Sequence, residues 1–304
     1  MNPVKWQGKP IAYPGIYTGL PIHIYHSAGC CVEPSISSSG LRTIINKSPA
    51  HYFDTCPYNK NRPEDADQPS DAMVLGRATH HLLLGEAEFK KQFAIRPERF
   101  DSWRTGDSRK WRAAAQRDGF TVLVPSDIER IRGMAAQLAR HTLVQAGILN
   151  GAIEQSFVWK EEHSGVWLKA RPDAVPSDSN DYVDLKTTAS VQYQDIRTAI
   201  AEYGYHQQGA LVREGARRLT GAASDFTFTL VFVESKRPHC VRIVTLKDAD
   251  LDRGHKLNVQ AVRLFAKCMQ SGRWPGPGDE RADAEFVELP EWRQKQIDEM
   301  KIEQ

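Results

Sequence analysis

The sequence predicts an α/β fold, with a mixed central sheet covered by helices and a mainly helical first half. Three observations lead there. Apolar residues recur at helical spacing in the first 150 residues, the period changes to strand-like alternation from residue 152, and the later strands are interleaved with helix-length amphipathic runs. A chain of 304 residues can bury one large core. The expectation is a single domain over 1–304, with a mainly helical part over 1–150, an αβ core over 151–270 and a tail over 271–304.

Taken in order, SISSSGLRTIINKSPAHYF (Ser35 to Phe53) reads as a short helix with a serine N-cap, stopped by Pro49. Cys56 to Asp71 has the Pro, Asp and Asn content of an exposed loop. Met73, Leu75, Ala78, Leu82 and Leu83 then recur at helical spacing, which puts His80 and His81 on a helix. Ser126 with Glu129 makes a capping-box pattern before Ile128, Ile131, Ala135 and Leu138, and Gly147 closes that helix. AIEQSFVWKEE, GVWLKARPDAVP and DYVDLKTT follow as three strands able to pair as a meander. SVQYQDIRTAIAEYGYHQQGALVREGARRL reads as one long helix, DFTFTLVFVES and HCVRIVTL as two strands, and KDADLDRGHKLNVQAVRLFAKCMQSG as a closing helix. A meander, a crossover helix and a further strand make the sheet mixed.

Composition excludes several classes of protein. With 40 Lys and Arg against 38 Asp and Glu the chain is no polyelectrolyte tail, although local basic surfaces remain open to it. No apolar run approaches the roughly 18 residues of a membrane span, and the first twenty residues lack the apolar centre of a signal peptide, so a soluble, cytoplasmic protein with no membrane partner is expected. Five cysteines with no C-x-x-C spacing indicate packing thiols, not a disulfide framework, a zinc site or a cluster.

The chemistry concentrates in RPDAVPSDSNDYVDLKTT, Arg171 to Thr188. Pairing of neighbouring strands can bring Asp173 and Asp184 together at one end of the sheet. Two carboxylates about 4 Å apart repel by roughly 4 kcal/mol at an effective dielectric of 20, and a divalent cation removes that conflict. Oxygen ligands suit Mg²⁺, with Mn²⁺ able to substitute. Lys186 projects from the same strand face as Asp184, where it can orient or deprotonate a water attacking a phosphodiester. By themselves these three residues fit better an ion pair on a solvated strand and a turn cap after Pro172.

Four ordered segments extend the pattern: LGRATHHLLLGEAEF, IEQSFVW, RPDAV with DYVDLKTT, and YGYHQQGALV. Together they resemble the RecE-type, exonuclease VIII-like branch of the PD-(D/E)XK nucleases of phage recombination systems, over most of residues 35–270. The resemblance implies a restriction-endonuclease-like core in a single nuclease domain. It places the histidine of a Gly-x-x-x-His motif on His80 and not His81, metal ligands on His80, Asp173, Asp184 and Leu185, the lysine on Lys186, and a glutamate that holds metal or water on Glu154. A Tyr-x-x-Gln motif falls on Tyr205 and Gln208, which share a helix face. Gln208 is expected to bond the phosphate or the surroundings of the lysine, and Tyr205 to pack or touch DNA. The implied activity is Mg²⁺-dependent hydrolysis of linear duplex DNA from 5′ ends, leaving 3′ single strands for recombination. A homo-oligomeric ring and a single-strand annealing partner are further implications. The alternatives are a PD-(D/E)XK endonuclease, a non-catalytic DNA-binding recombination protein and an enzyme of small phosphates; a four-cysteine CRISPR-associated nuclease would need cysteines that are absent.

A separate DNA-binding expectation rests on Arg96 to Arg117, where seven Arg or Lys stand against three acids with Phe100, Trp103 and Trp111 interleaved. Such segments neutralise phosphates and stack on bases. Arg104, Lys110 and Arg112 are the candidate phosphate contacts, and a solvated helix face with core tryptophans is the other reading.

Overall fold

A computed structural model describes residues 2–63, 70–84, 86–177, 179–221, 226–279 and 283–300. The chain opens with β1 (Val4–Lys5), β2 (Gly15–Thr18), the one-turn α1 (Ile22–Tyr25), β3 (Ser35–Ser37), α2 (Ser38–Asn46) and α3 (Pro49–Thr55). There follow α4 (Asp71–Leu84), α5 (Glu86–Gln92), β4 (Phe93–Ile95), α6 (Gly106–Arg117), β5 (Thr121–Leu123), α7 (Pro125–Leu138) and α8 (Thr142–Gln145). The second half holds β6 (Ala152–Ile153), β7 (Ser156–Lys160), β8 (Trp167–Ala170), β9 (Ala174–Val175), β10 (Asp181–Thr188), α9 (Tyr193–Glu202), α10 (Tyr205–Thr220), β11 (Thr227–Glu234), β12 (Val241–Thr245), α11 (Asp248–Ser271) and α12 (Glu291–Asp298).

The fold is mixed α/β, as the periodicity predicts, but its strands form two five-stranded sheets in the orders β1-β2-β7-β8-β3 and β12-β11-β10-β9-β6. The expected meander is divided between them, because each of its first two strands is interrupted. Glu154 turns to φ 50° between β6 and β7, so it sits at a kink and not within an alternating strand. Pro172, which lacks an N–H for the ladder, falls between β8 and β9. The first half is mainly helical, with α1 to α8 between residues 22 and 145, and within it β1, β2 and β3 supply three strands to the first sheet. At two to four residues each, they are too short to show alternation.

β10 runs parallel to β11, with Asp184 opposite Leu230 and Lys186 opposite Phe232, and antiparallel to β9 through Val183 and Ala174. The crossover between the parallel strands is α9 and α10, not one helix. Gly204, at φ 64°, breaks it in the left-handed region that glycine enters without strain. Pro49 begins a helix where the sequence predicts that it ends one: it occupies the first turn of α3, where no N–H is needed, and the Ser48 hydroxyl accepts from the His51 N–H at 3.2 Å. Ser37 stands at the N-cap of α2 without a side-chain capping bond. The start of α7 likewise differs from the Ser126–Glu129 pattern, since Asp127 caps it by accepting from the Val124 N–H at 3.1 Å.

β10 alternates between two cores. Tyr182 packs among Trp159, Phe228, Phe232 and Phe265 beneath α10 and α11, while Val183 and Leu185 join Leu75, Ile131, Met134 and Val231 beneath α4 and α7. α10 and α11 approach closely at Gly254, where a Cβ would stand 2.3 Å from the His206 carbonyl oxygen. Of the five cysteines, all free, only Cys240 is exposed. Among the described residues no helix is long and apolar enough to cross a membrane. Residues 64–69 of the expected loop lie outside the described residues, as do the side chains of Leu82 and Leu83.

Candidate active site

A cavity of about 660 Å³ lies among α2, α4, the β8–β9 turn, β10 and α10. It is lined by five of the predicted site side chains that carry charge, His80, Glu154, Asp173, Asp184 and Lys186, together with Gln208. The backbone of Asp173 knits the segments together: its N–H donates to the Val183 carbonyl at 3.0 Å, and its carbonyl accepts from the Glu154 N–H at 3.1 Å. Three stretches distant from one another in sequence are thereby held at one place.

The Asp173 carboxylate accepts from the Leu185 N–H at 2.7 Å and meets His80 Nδ1 at 3.2 Å. Asp184 accepts from Gln208 Nε2 at 2.7 Å and is in direct contact with Lys186 Nζ. Lys186 Nζ also lies 4.8 Å from the centroid of the Tyr205 ring, a cation–π contact that gives Tyr205 its place at the border. His80 reaches the site because Gly76, one turn earlier on α4, lets the helix close on β10: a Cβ there would stand 3.3 Å from Thr187 Oγ1.

Burial works against every charge in this group, and the partners decide the outcome. For Asp173 the His80 charge and hydrogen bond, then Lys186 and the Leu185 N–H, overcome burial and lower its pKa. Asp184 is raised, first by burial and then by the Asp173 carboxylate. Burial also opposes the charge on Lys186 and on His80, but the carboxylates prevail and raise both. The site therefore carries two like charges in mutual conflict, compensated by one ammonium and one imidazole.

Among the described residues no three His, Cys, Asp or Glu side chains form a ready-made cation cage. The donor set nevertheless fits a hard divalent ion: the buried Asp184 carboxylate and the half-buried Asp173 carboxylate, with a third, Glu154, on the same cavity wall. Leu185 adds to it. The N–H and C=O of one strand residue leave on the same side, and the Leu185 N–H already points to Asp173, so its carbonyl turns toward the site as well. An arriving cation would take over the compensation that His80 and Lys186 supply.

Arg104, Lys110 and Arg112 lie elsewhere, exposed on α6 and the turn before it. The tryptophans there differ from the expectation of base stacking. Trp103 and Trp111 stack on each other, 6.3 Å apart with planes 11° from parallel, and the Arg96 and Arg112 guanidinium groups lie over Trp103 at 5.2 and 5.3 Å. Ring surface is thus engaged within the segment while basic groups face outward. His81 packs edge-on against Phe93 at 5.6 Å and also lines the cavity.

Three arginines of the cavity escaped the sequence reading: Arg42, Arg77 and Arg171. Arg42 comes from α2, donating to the Ser38 carbonyl at 3.3 Å and to the Tyr203 carbonyl; burial lowers its pKa against the pull of Asp184 and Tyr205. Arg171 donates to Ser156 Oγ at 2.8 Å and to the Leu20 carbonyl at 2.7 Å, with its guanidinium 4.5 Å from the Tyr25 ring centroid. Its place two residues before Asp173 was the available signal; Arg42, some 130 residues upstream of that motif, carried none.

Known proteins match this arrangement at the level of fold. A Eubacterium rectale protein assigned as an exonuclease superposes with a TM-score of 0.56 at 15% identity, covering 84% of this chain and 91% of that one, and speaks for the fold alone. A phage related exonuclease from Haemophilus somnus aligns at a TM-score of 0.33 and 10% identity, over 78% of this chain and 96% of that one, too distant to add to it. No curated protein sequence matches. The family described as "PDDEXK-like domain of unknown function (DUF3799)" matches residues 37–284.

Proposed function

The chain belongs to the PDDEXK-like DUF3799 family, and we propose from this premise that it is a divalent-metal-dependent DNA exonuclease. The observation that carries the reading is the Asp173–Asp184 pair, buried at Asp184 and half-buried at Asp173, with Lys186 and Gln208 on one carboxylate and His80 on the other. Asp173, Asp184 and the Leu185 carbonyl would hold the cation, with His80 and Glu154 in reach of it. A bound Mg²⁺ or Mn²⁺ supplies Lewis-acid stabilisation of the phosphate and a more acidic water. Lys186 orients the attacking water and shields Asp184. Gln208 fixes Asp184 through its amide nitrogen and keeps a buried amide oxygen without a protein partner, an acceptor for that water. Arg42, Arg77 and Arg171 neutralise phosphates of the strand lying in the cavity. Hydrolysis then forms one bond from water oxygen to phosphorus, breaks the bond to the departing sugar oxygen, and passes the water proton on to that oxygen.

The finer reading rests on the four-segment resemblance. It is a RecE-type, cytoplasmic enzyme of DNA recombination, one domain over 1–304, that uses Mg²⁺ and degrades linear duplexes 5′ to 3′. Double-stranded ends are its substrate, a single-strand annealing protein takes up its product, and exposed Arg104, Lys110 and Arg112 extend the DNA path. The test is digestion of linear duplexes labelled at the 5′ or the 3′ end, beside a covalently closed circle, with Mg²⁺ or with EDTA, and with Asp173→Asn as contamination control. Early release of the 5′ label, an intact circle and dependence on Mg²⁺ are expected. Cleavage of the circle refutes exonuclease action, and cleavage by the Asp173→Asn protein refutes the site.

A further inference from the structure

We propose that Cys30 and Cys31 form an oxidant-responsive dithiol behind the wall of the candidate active site, in which a hydroperoxide oxidises Cys30 and Cys31 closes the product to a reversible disulfide. The two residues end and follow the 3-10 turn Ala28–Cys30, and both are buried. They share an apolar cluster with Leu20 and Tyr25, which line the cavity. Their sulfurs lie within hydrogen-bonding reach of each other, and Lys169 lies within reach of Cys30. Lys169 comes from β8 and is itself buried; its Nζ contacts the Tyr25 carbonyl and stands 5.1 Å from the centroid of that ring.

Packing thiols alone do not account for the ammonium. Burying one is costly unless an anion compensates it. Burial holds Lys169 below the usual range of an amine, and the groups that favour its charge are Cys30 first and then Cys31. On the sulfur side the hydrogen bond from Cys31 is the largest influence, and with the charges of Lys169 and Arg171 it outweighs burial and lowers the pKa of Cys30. Donating that bond, and then burial, raise Cys31. The pair is thereby divided into a thiolate and a thiol, the combination in which one sulfur attacks an oxidant and its neighbour resolves the product.

The Cys30 sulfur attacks one oxygen of hydrogen peroxide, a sulfur–oxygen bond forms as the oxygen–oxygen bond breaks, and the departing hydroxide takes a proton from Lys169 and leaves as water. Lys169 is left neutral, as suits a buried amine that has lost its counter-ion. The Cys31 sulfur then attacks Cys30, the sulfur–sulfur bond forms as the sulfur–oxygen bond breaks, and the second hydroxide leaves as water with the Cys31 proton. Each sulfur gives up one electron, and the peroxide takes both. Neighbouring Cα atoms are about 3.8 Å apart across a trans peptide, less than the roughly 4.4–6.8 Å that a relaxed disulfide spans, so closure shifts the backbone at 30–31. That backbone is tied to Ile11, whose N–H donates to the Cys30 carbonyl at 2.9 Å and whose carbonyl accepts from the Val32 N–H at 3.0 Å. Through Lys169 it is tied to Tyr25, over which the Arg171 guanidinium lies at 4.5 Å. The consequence for catalysis rests on the nuclease reading: oxidation displaces Tyr25 and Arg171 and lowers cleavage.

Peptide mass spectrometry of the full chain, treated with a graded series of hydrogen peroxide and then blocked with N-ethylmaleimide in urea, tests this. The peptide holding Cys30 and Cys31 should lack two hydrogens and take up no maleimide, and dithiothreitol should restore both. Cys31→Ser should stop at a Cys30 sulfenic acid that dimedone captures. Lys169→Met should slow closure about tenfold or more as the thiolate fraction falls; the wild-type measurement stands whether or not that variant folds. Cleavage of a labelled duplex should fall on oxidation and return with dithiothreitol, and the Cys30→Ser, Cys31→Ser protein should be indifferent to peroxide. Exposed Cys240 reports that oxidant has reached the protein. Its oxidation while Cys30 and Cys31 still take up two maleimides, or closure as fast in a folded Lys169→Met protein, overturns the site. Cleavage unchanged once the disulfide has formed overturns its control of the cavity, whereas a protein that cuts nothing before oxidation refutes the nuclease reading and leaves the thiol result to decide the site.

Discussion

Replacing Lys186 with Met keeps the length of the side chain and removes its charge, leaving Asp184 buried beside Asp173 with the Gln208 amide as its remaining bonded partner. Breaking a buried ion pair by removing one member costs about 3–5 kcal/mol. The surviving hydrogen bond places this case near the lower end, at about 3 kcal/mol. Over 304 residues, at about 2.1 cal/mol/K per residue, that is a fall of roughly 5 °C in Tm. Mg²⁺ should return part of it, because the cation relieves the conflict that the ammonium no longer does, so the gain in Tm on adding Mg²⁺ should be larger for the variant than for the wild type. Activity should nonetheless drop about 10²-fold or more, since the metal does not replace the group that orients water. The assay is a pair of thermal melts, in EDTA and in Mg²⁺, beside single-turnover digestion of a labelled duplex. Wild-type digestion together with a Tm within a degree or so of the wild type would make Lys186 a surface ion pair and undo the assignment.

Gly254→Ala should cost about 1–3 kcal/mol in urea unfolding, because the added methyl meets the backbone of α10 at His206, which has no rotamer with which to yield. Glu161 is lowered to about 2: burial works against its charge, but the Ser164 hydroxyl and the N–H groups of Ser164 and His163 outweigh it. A depressed carboxylate stabilises above its unfolded pKa and stops doing so as pH falls through the folded one. The stability difference between wild type and Glu161→Gln should therefore be flat above about pH 5 and shrink toward pH 2, read from denaturation across that range. Joint replacement of Arg104, Lys110 and Arg112 by Ala should leave the fold intact, weaken DNA binding and flatten its salt dependence; unchanged affinity and slope would return α6 to a solvated face.

The carboxylate pair, the lysine and the fold class were legible because each has a local signature. β10 and β11 are long enough for their period to show, and Asp-Leu-Lys places its two charges on one face. What escaped depends on the third dimension or on single residues. The bend at Glu154 is one backbone angle, yet it moves β6 and β7 into different sheets and aims the Glu154 side chain at the cavity. Arg42 joins the site through the docking of α2 on the end of α9, whose Tyr203 carbonyl it holds, and nothing in its own neighbourhood announces that. The break at Gly204 was printed in the sequence, but a glycine inside a helical pattern does not reveal whether it bends the chain or lets another helix approach. Gly204 does the first and Gly254 the second.

The pairing of β10 with β11 has a consequence for how the chain finds its native state. Asp184 and Lys186 alternate with Val183 and Leu185, which belong to a fully apolar layer. Sliding β10 by one residue would thrust a carboxylate and an ammonium into that layer and expel two aliphatic side chains from it. The residues assigned to chemistry thus also act as a proofreading device for strand alignment, penalising the neighbouring alternatives during folding. A chain with apolar residues at both positions would trade away that discrimination along with its reactivity, and in hydrogen exchange it should show several slowly interchanging alignments of β10 where the native sequence permits one.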